Sequence, residues 1–513
     1  MEAIPRRRLI SDFATTFGAA LVLFALSIPL ARLLAVALGA EGYGHYQMLR
    51  RVTLTGYPIA LIGLHIALVR ALAMTIGDRK AHAATALGGL AIAVPAVVLM
   101  GGALLLCPGV IGRLLHGPNP ARGGEALLWL FLSAIGYAYL YSAYRGSQRI
   151  LYANLITIVY NGLIPLGCIL AMRRAEPDAL ILMLSYIAIG LEVPFLAWEV
   201  WRAARLPGDI RATWNDVVQA VGGLLRYGWR RMFVPSIYGA FYLVAPNWLN
   251  HLGRPKETGA FFLSLTVLRL LEQSLSPIAV VMLPALSEMV GRRDTQSLGY
   301  YVSYVVSFFV EVALFMGMQG FAFAGIIVRA WFGPSFIGIV PSVQLLMLAL
   351  APLLLFLLSL TVVEALTERA VSLVCALAGL IVNTLIVIGL SQHLDAVGAS
   401  VGFGAAVSVA AALMCAFLVR RLKPSLNWGL LAKALVINLA LAGASWIMLR
   451  SGLVRLPSPA VAGAWAVVVV ATYLLLSRVC RLSWYVQVSR ASRPLARKGG
   501  TELNDDGTDL IDR

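Results

Sequence analysis

Charged side chains are scarce in this 513-residue chain: Asp, Glu, Lys and Arg make up 13% of it, while 60% is hydrophobic. Soluble globular domains run at roughly 25% and 45–50%, so a soluble fold is excluded and a polytopic membrane protein is indicated. Cysteine offers no obvious chemistry. The five, Cys107, Cys168, Cys375, Cys415 and Cys480, are scattered without the short spacings of zinc, haem or redox sites. The six histidines form no His-Glu-x-x-His pattern, so neither a metal nor a cofactor is expected. Acidic residues are few, and the basic excess gives a formal charge of +17. Because the basic residues lie mostly in short loops between apolar runs, membrane topology explains them and nucleic acid is not an expected partner.

What is abundant is apolar length. About 20 apolar residues cross the hydrocarbon core as a helix, and fourteen such windows can be placed, from Leu9–Leu38 at one end to Ala460–Leu476 at the other. The first exceeds the roughly 7–15 residues of a signal-peptide core, so it reads as a retained span. With the N-terminus inside, most Lys and Arg fall on the cytoplasmic side, which places both termini there. The expected division is an N-terminal lobe of spans one to six (1–201), a cytoplasmic linker (202–231) and a C-terminal lobe of spans seven to twelve (232–420). Spans thirteen and fourteen (421–480) and a basic, then acidic, disordered tail (481–513) follow. Within the linker, Thr213-Trp214-Asn215-Asp216 reads as a capping box ahead of Val217, Val218, Val221, Leu224 and Leu225 at helical spacing, an interfacial helix.

Some ionisable residues nevertheless sit at bilayer depth, where each costs several kcal/mol. Arg269 lies about ten residues inside the apolar run that begins at Ala260. Glu272 follows one turn later, and a structural pair with Arg269 is one reading of it. Arg32 stands about seven residues before the first run ends at Gly39. Arg50, Arg51 and Arg70 bracket the second run and carry two readings. They are interfacial anchors whose long stems snorkel, or they join Arg32 and Arg269 in a site for an anion, since the guanidinium fork matches phosphate geometry. Glu192 in span six and Glu311 in span nine are, with Glu272, candidate ion-coupling residues; each reads equally well as a neutral packing residue. Tyr137, Tyr141 and Tyr144 share a helical face suited to sugar stacking or to an interfacial belt. Pro58, Pro277 and Pro284 are candidate bends.

Two stretches of the chain echo each other. Leu38-Gly39-Ala40-Glu41-Gly42-Tyr43-Gly44-His45-Tyr46 follows span one, and Leu252-Gly253-Arg254-Pro255-Lys256-Glu257-Thr258-Gly259-Ala260-Phe261 follows span seven. Both place Leu-Gly, then an acidic residue and Gly, ahead of an aromatic, which suggests a duplication. A fainter echo links Arg145–Arg149 and Asn161 to Thr367–Arg369 and Asn383.

Those segments, with Tyr144-Arg145-Gly146 and the stretch from Gly259 to Leu283-Pro284-Ala285-Leu286-Ser287-Glu288, resemble the oligosaccharide flippase, or polysaccharide transporter, family. That family belongs to the multidrug/oligosaccharidyl-lipid/polysaccharide exporter superfamily. The resemblance implies an all-α fold with two six-helix lobes in a V, two C-terminal helices and alternating access. It also implies a flippase that moves a polyprenyl-pyrophosphate-linked glycan from the cytoplasmic to the periplasmic leaflet of a bacterial inner membrane. Such a protein makes and breaks no bond, works as a monomer, and serves glycosyltransferases or a polysaccharide polymerase. Spans one, two, seven and eight would face the cavity, and the matching basic positions are Arg32, Arg50, Arg51, Arg70 and Arg269. Asn247 departs from the pattern where many relatives carry an acidic residue. The alternatives are a cation-coupled multidrug exporter of the same superfamily, a membrane glycan polymerase or ligase, for which the longest outer loop, Pro108 to Glu125, is short, and export of an undecorated lipid-linked peptidoglycan precursor, which differs only in substrate.

Overall fold

The computed structural model describes residues 6–106, 124–172, 176–205, 207, 212–291, 295–367, 370–422, 428–450, 459–480 and 482. Most of the outer loop, Arg173 and Arg174, Glu368 and Arg369, and the basic and acidic tail lie outside them, as do the side chains of Pro277 and Pro284. Sixteen α-helices and no strand occur among the described residues.

The helices are α1 (Arg6–Ala60), α2 (Leu64–Met74), α3 (Arg79–Leu106), α4 (Gly124–Gly146), α5 (Ile150–Ala171) and α6 (Pro177–Ala204). An amphipathic α7 (Trp214–Gly228) leads to α8 (Phe233–Phe241), α9 (Val244–His251), α10 (Pro255–Gly291) and α11 (Thr295–Trp331). A short 3-10 turn (Pro334–Ile339) precedes α12 (Val340–Leu348), α13 (Leu350–Leu366), α14 (Val371–Leu422), α15 (Trp428–Arg450) and α16 (Pro459–Val479).

Eight described helices are long and apolar enough to cross a membrane, or nine if a pair bent by 43° is one span. This count and the fourteen sequence windows describe one chain differently. A 30 Å core needs about 20 helical residues, yet α14 has 52 and α1 has 55. Each is two spans merged across a break, at Gly39 (φ 67°) and at Asp395 (φ 50°). Span seven is the converse, one window split into α8 and α9, and all fourteen windows fall on helix.

The contacts sort the helices. α1 to α6 pack among themselves with α7 laid over α2 and α3, while α8 to α14 pack among themselves and α15 against α11. The main junction between the sets is α1 against α10, with α8 adding to it. Small residues let these helices approach, as expected where lipid is no less apolar than Leu: Ala396, Ala399, Ala406 and Ala410 of α14 are all buried.

The repeated Leu-Gly motif gains a physical reason. Gly39 and Gly253 both adopt left-handed backbone, φ 67° and 71°, which lets each chain reverse after its first span where a Cβ would strain it. Gly44 and Gly259 then meet across the junction. A Cβ on Gly44 would lie 2.8 Å from the Gly259 nitrogen, and one on Gly259 would lie 1.8 Å from the Ala40 carbonyl oxygen. The two sets therefore touch backbone to backbone at the end bearing these turns.

Candidate functional site

Between the two sets, on the other side of the glycine crossing, lies a cavity of about 350 Å3 lined by both halves of α1, by α10, by Asn161 of α5 and by Trp331 of α11. Arg50, Arg51 and Arg269 all line it. Arg50 donates from Nη1 to the Tyr46 hydroxyl at 3.2 Å. Arg51 is only 8% exposed, so its guanidinium is drawn away from bulk water. It makes no hydrogen bond among the described residues; its Cζ lies 4.5 Å from the centre of the Tyr242 ring. The Arg269 Cζ lies 5.8 Å from that same centre. One aromatic ring of span seven is thus shared by an arginine from each set of helices.

Tyr242 is held by the break in its own span. It sits between α8 and α9, where the helix loses its regular backbone bonds, and the freed Phe241 carbonyl accepts from Asn383 Nδ2 at 3.0 Å. The Tyr242 hydroxyl shares a hydrogen bond with Tyr238 at 2.6 Å. Tyr238 in turn donates to Glu272 Oε1 at 3.2 Å. Glu272 Oε2 is buried without a hydrogen-bond partner. The structural pair of Arg269 with Glu272 is not what the structure shows: no ion pair joins them, because the carboxylate turns toward the two tyrosines.

The other sequence candidates lie elsewhere. Arg32 does not line the cavity; it is exposed, with Nη1 3.5 Å from the Ala330 carbonyl oxygen at the end of α11. Next to it, Trp331 Nε1 donates to the Ile28 carbonyl at 2.8 Å. Arg70 is exposed and covers the Tyr227 ring of α7 at 4.4 Å. Glu192 is buried on α6, with Oε1 unpartnered, behind α4, and Glu311 is fully buried on α11 near Tyr473 of α16. Tyr137 stacks on Tyr160 at 4.3 Å, and Tyr144 on Tyr152 at 5.8 Å. Beyond Pro58, α1 ends at Ala60 and the chain turns through Ile62 and Gly63.

Sequence reasoning missed Tyr242 and Tyr238, although two tyrosines one turn apart in an apolar span are a legible signal. It also missed the turn of π-helix at Val159–Leu163 in α5, which places Asn161 on the cavity and lets its Nδ2 donate to the Tyr137 hydroxyl at 3.3 Å. No composition rule finds such a turn, though turns of this kind recur at functional sites.

The magnitudes say what the site lacks. A desolvated cation–π contact is worth about 2 kcal/mol, less than the several kcal/mol that a charge costs at bilayer depth. Glu272 lies in electrostatic reach of Arg51, but neither Arg51 nor Arg269 makes a side-chain hydrogen bond among the described residues, and an anion with several acceptor oxygens would supply those bonds.

Among the described residues the chain is all-helical and polytopic, with a cavity of mixed lining between two sets of helices. Solved structures agree at the level of fold. The lipid II flippase MurJ in an inward closed conformation matches with a TM-score of 0.68 at 12% identity, over 94% of this chain and 100% of that one. A MATE transporter in complex with MaL6 matches with a TM-score of 0.59 at 15% identity, over 82% and 97%. A MOP superfamily transporter from Pyrococcus furiosus gives 0.59 at 15%, over 82% and 96%. No family model matches the sequence, and no curated protein does.

Proposed function

We propose that the protein is a flippase for a polyprenyl-pyrophosphate-linked oligosaccharide, loaded from the cytoplasmic leaflet and delivered to the periplasmic one by alternating access. The observation that carries this reading is the convergence of Arg50, Arg51 and Arg269 on one cavity between the two sets of helices. A pyrophosphate would take the guanidinium groups, the sugars would occupy the polar cavity and the prenyl chain would stay in lipid. With the N-terminus cytoplasmic, the glycine crossing seals the periplasmic end and the cavity faces the leaflet where the substrate is made. The likeness to a lipid II flippase over 94% of the chain supports the same reading.

The MATE likenesses favour a second reading, a cation-coupled multidrug exporter. Cationic drugs would meet three guanidinium groups in this cavity, and like charges at short range repel. Reconstitution in proteoliposomes decides between them. A labelled polyprenyl-pyrophosphate glycan should become accessible in the opposite leaflet, and Arg51→Gln and Arg269→Gln should each slow this at least ~10-fold, a loss of about 1.4 kcal/mol. Transport of a cationic dye with no glycan flipping would overturn the proposal.

A further inference from the structure

Two hydrogen-bond relays end at the central cavity, and both run the same way. In the first, Thr266 of α10 donates its hydroxyl proton to the Phe262 carbonyl at 2.8 Å, so its oxygen can only accept from the Tyr43 hydroxyl of α1, 2.7 Å away. Tyr43 thus gives its one proton to Thr266, and the group 2.8 Å from its own oxygen must be a donor, Gln47 Nε2. In the second, Thr157 of α5 donates to the Ala153 carbonyl at 2.8 Å and accepts the Tyr137 hydroxyl proton at 3.3 Å. Asn161 Nδ2 then donates to Tyr137 at 3.3 Å.

The relays fix the direction of two amides. Which end of a side-chain amide meets its neighbour follows from what that neighbour can give or accept, and each tyrosine here has no proton left to give. Gln47 and Asn161 therefore hold their nitrogen ends on the tyrosines and turn their carbonyl oxygens elsewhere. Both side chains line the cavity; their oxygens keep accessible surface and have no hydrogen-bond partner among the described residues.

The wall of the cavity is thus divided by chemistry. Arg50, Arg51 and Arg269 offer donors to an anion, while Gln47 on α1 and Asn161 on the π-turn of α5 offer acceptors. An ionised phosphate has no proton to give those oxygens, whereas a hydroxyl has one. A ligand that satisfies both parts carries phosphate and, beside it, free hydroxyls, as does a sugar joined to pyrophosphate. At about 350 Å3 the cavity is at the small end of the roughly 300–1,000 Å3 of small-molecule sites. That is room for the sugar next to the pyrophosphate rather than for a long glycan.

We propose that Gln47 and Asn161 form a subsite that recognises the sugar attached to the pyrophosphate by accepting hydrogen bonds from its hydroxyls. The subsite rests on the pyrophosphate reading of the arginines. The test uses the full-length protein in detergent, titrated calorimetrically with inorganic pyrophosphate, with glucose 1-diphosphate, and with analogues of the latter in which fluorine replaces one hydroxyl at a time. Fluorine keeps the size of the group and removes its donor. At least one analogue should bind the unmodified protein ~5-fold more weakly than its parent, about 1 kcal/mol. In Gln47→Met or in Asn161→Leu that difference should vanish, while inorganic pyrophosphate binds both variants as it binds the unmodified protein, which shows the cavity intact. Analogues that all bind as tightly as the parent, or a difference unchanged in both variants, would overturn the subsite and leave the reading of the arginines standing. Pyrophosphate that does not bind the unmodified protein would sink that reading and the subsite with it.

Discussion

At the scale of single residues, the arginines divide by what their side chains can reach. Sequence depth singles out Arg269 and Arg32 and leaves Arg50 and Arg51 open as anchors at the end of a run. The structure buries Arg51 and turns Arg32 away, because the second half of α1 rotates its first turns toward α10 while Arg32 finds a carbonyl on α11. Depth along a helix is legible in sequence; the face it presents depends on which neighbour packs there. We therefore expect Arg32→Gln to retain glycan flipping within about two-fold of the unmodified protein, less than about 0.4 kcal/mol. A loss as deep as that of Arg51→Gln would show that Arg32 enters the cavity in another conformation. Glu192 offers a second residue-scale test. A Cβ at Gly136 of α4 would lie 2.2 Å from Glu192 Oε2, and overpacking of this kind typically costs about 1–3 kcal/mol. Gly136→Ala should lower the melting temperature measurably, and Glu192→Ala in the same chain should recover most of it by removing the clash.

At the scale of elements, the long apolar windows were plainly readable, whereas the places where helices break were readable only in part. Gly39 and Gly253 announce themselves through the repeated Leu-Gly motif, and Pro246, which has no N–H for the Tyr242 carbonyl, marks the break there, but nothing in composition marks the π-turn at Asn161. What satisfies the freed Phe241 carbonyl is distant in sequence, Asn383 on α14. The capping box of α7 was local and therefore legible: Thr213 Oγ1 accepts the Asp216 amide at 3.3 Å, and the Thr213 amide donates to Asp216 Oδ2 at 2.8 Å. Thr213, then Lys80 at 3.0 Å, hold the Asp216 carboxyl down to about 2. A group whose acidity is raised by folding contributes its stability above its unfolded range, near 3.9, and loses it as pH falls toward the folded value. Protection factors of the α7 amides, taken against the intrinsic exchange rate at each pH, should thus hold at pH 5 and fall between about pH 4 and 2; Asp216→Asn should lower them at neutral pH. The glycine crossing is an element-scale device too. Gly259→Val would force α10 off α1, so spin labels placed beside the crossing should report a wider separation, with flipping lost. An unchanged distance would mean that the helices part elsewhere.

At the scale of the whole molecule, two sets of helices are joined chiefly through α1 and α10, with small contacts at Trp331 and Arg32 completing the junction. The doubled motif suggested two similar halves; it gave no sign that one ring would serve both. Tyr242 belongs to the second set, Arg51 to the first and Arg269 to the second, so separating the halves must strip Arg51 from the ring while Arg269 travels with it. A contact of about 2 kcal/mol biases a two-state population by roughly 30-fold. In Tyr242→Leu we expect that bias to collapse, and single-molecule distance measurements across the halves should show the two conformations in more equal proportion without substrate. The same ring sets an order of events. On the proposed function, any anion that draws Arg51 off Tyr242 removes the resting preference at the moment of loading, so the empty protein idles with its halves held together and is released by its own cargo.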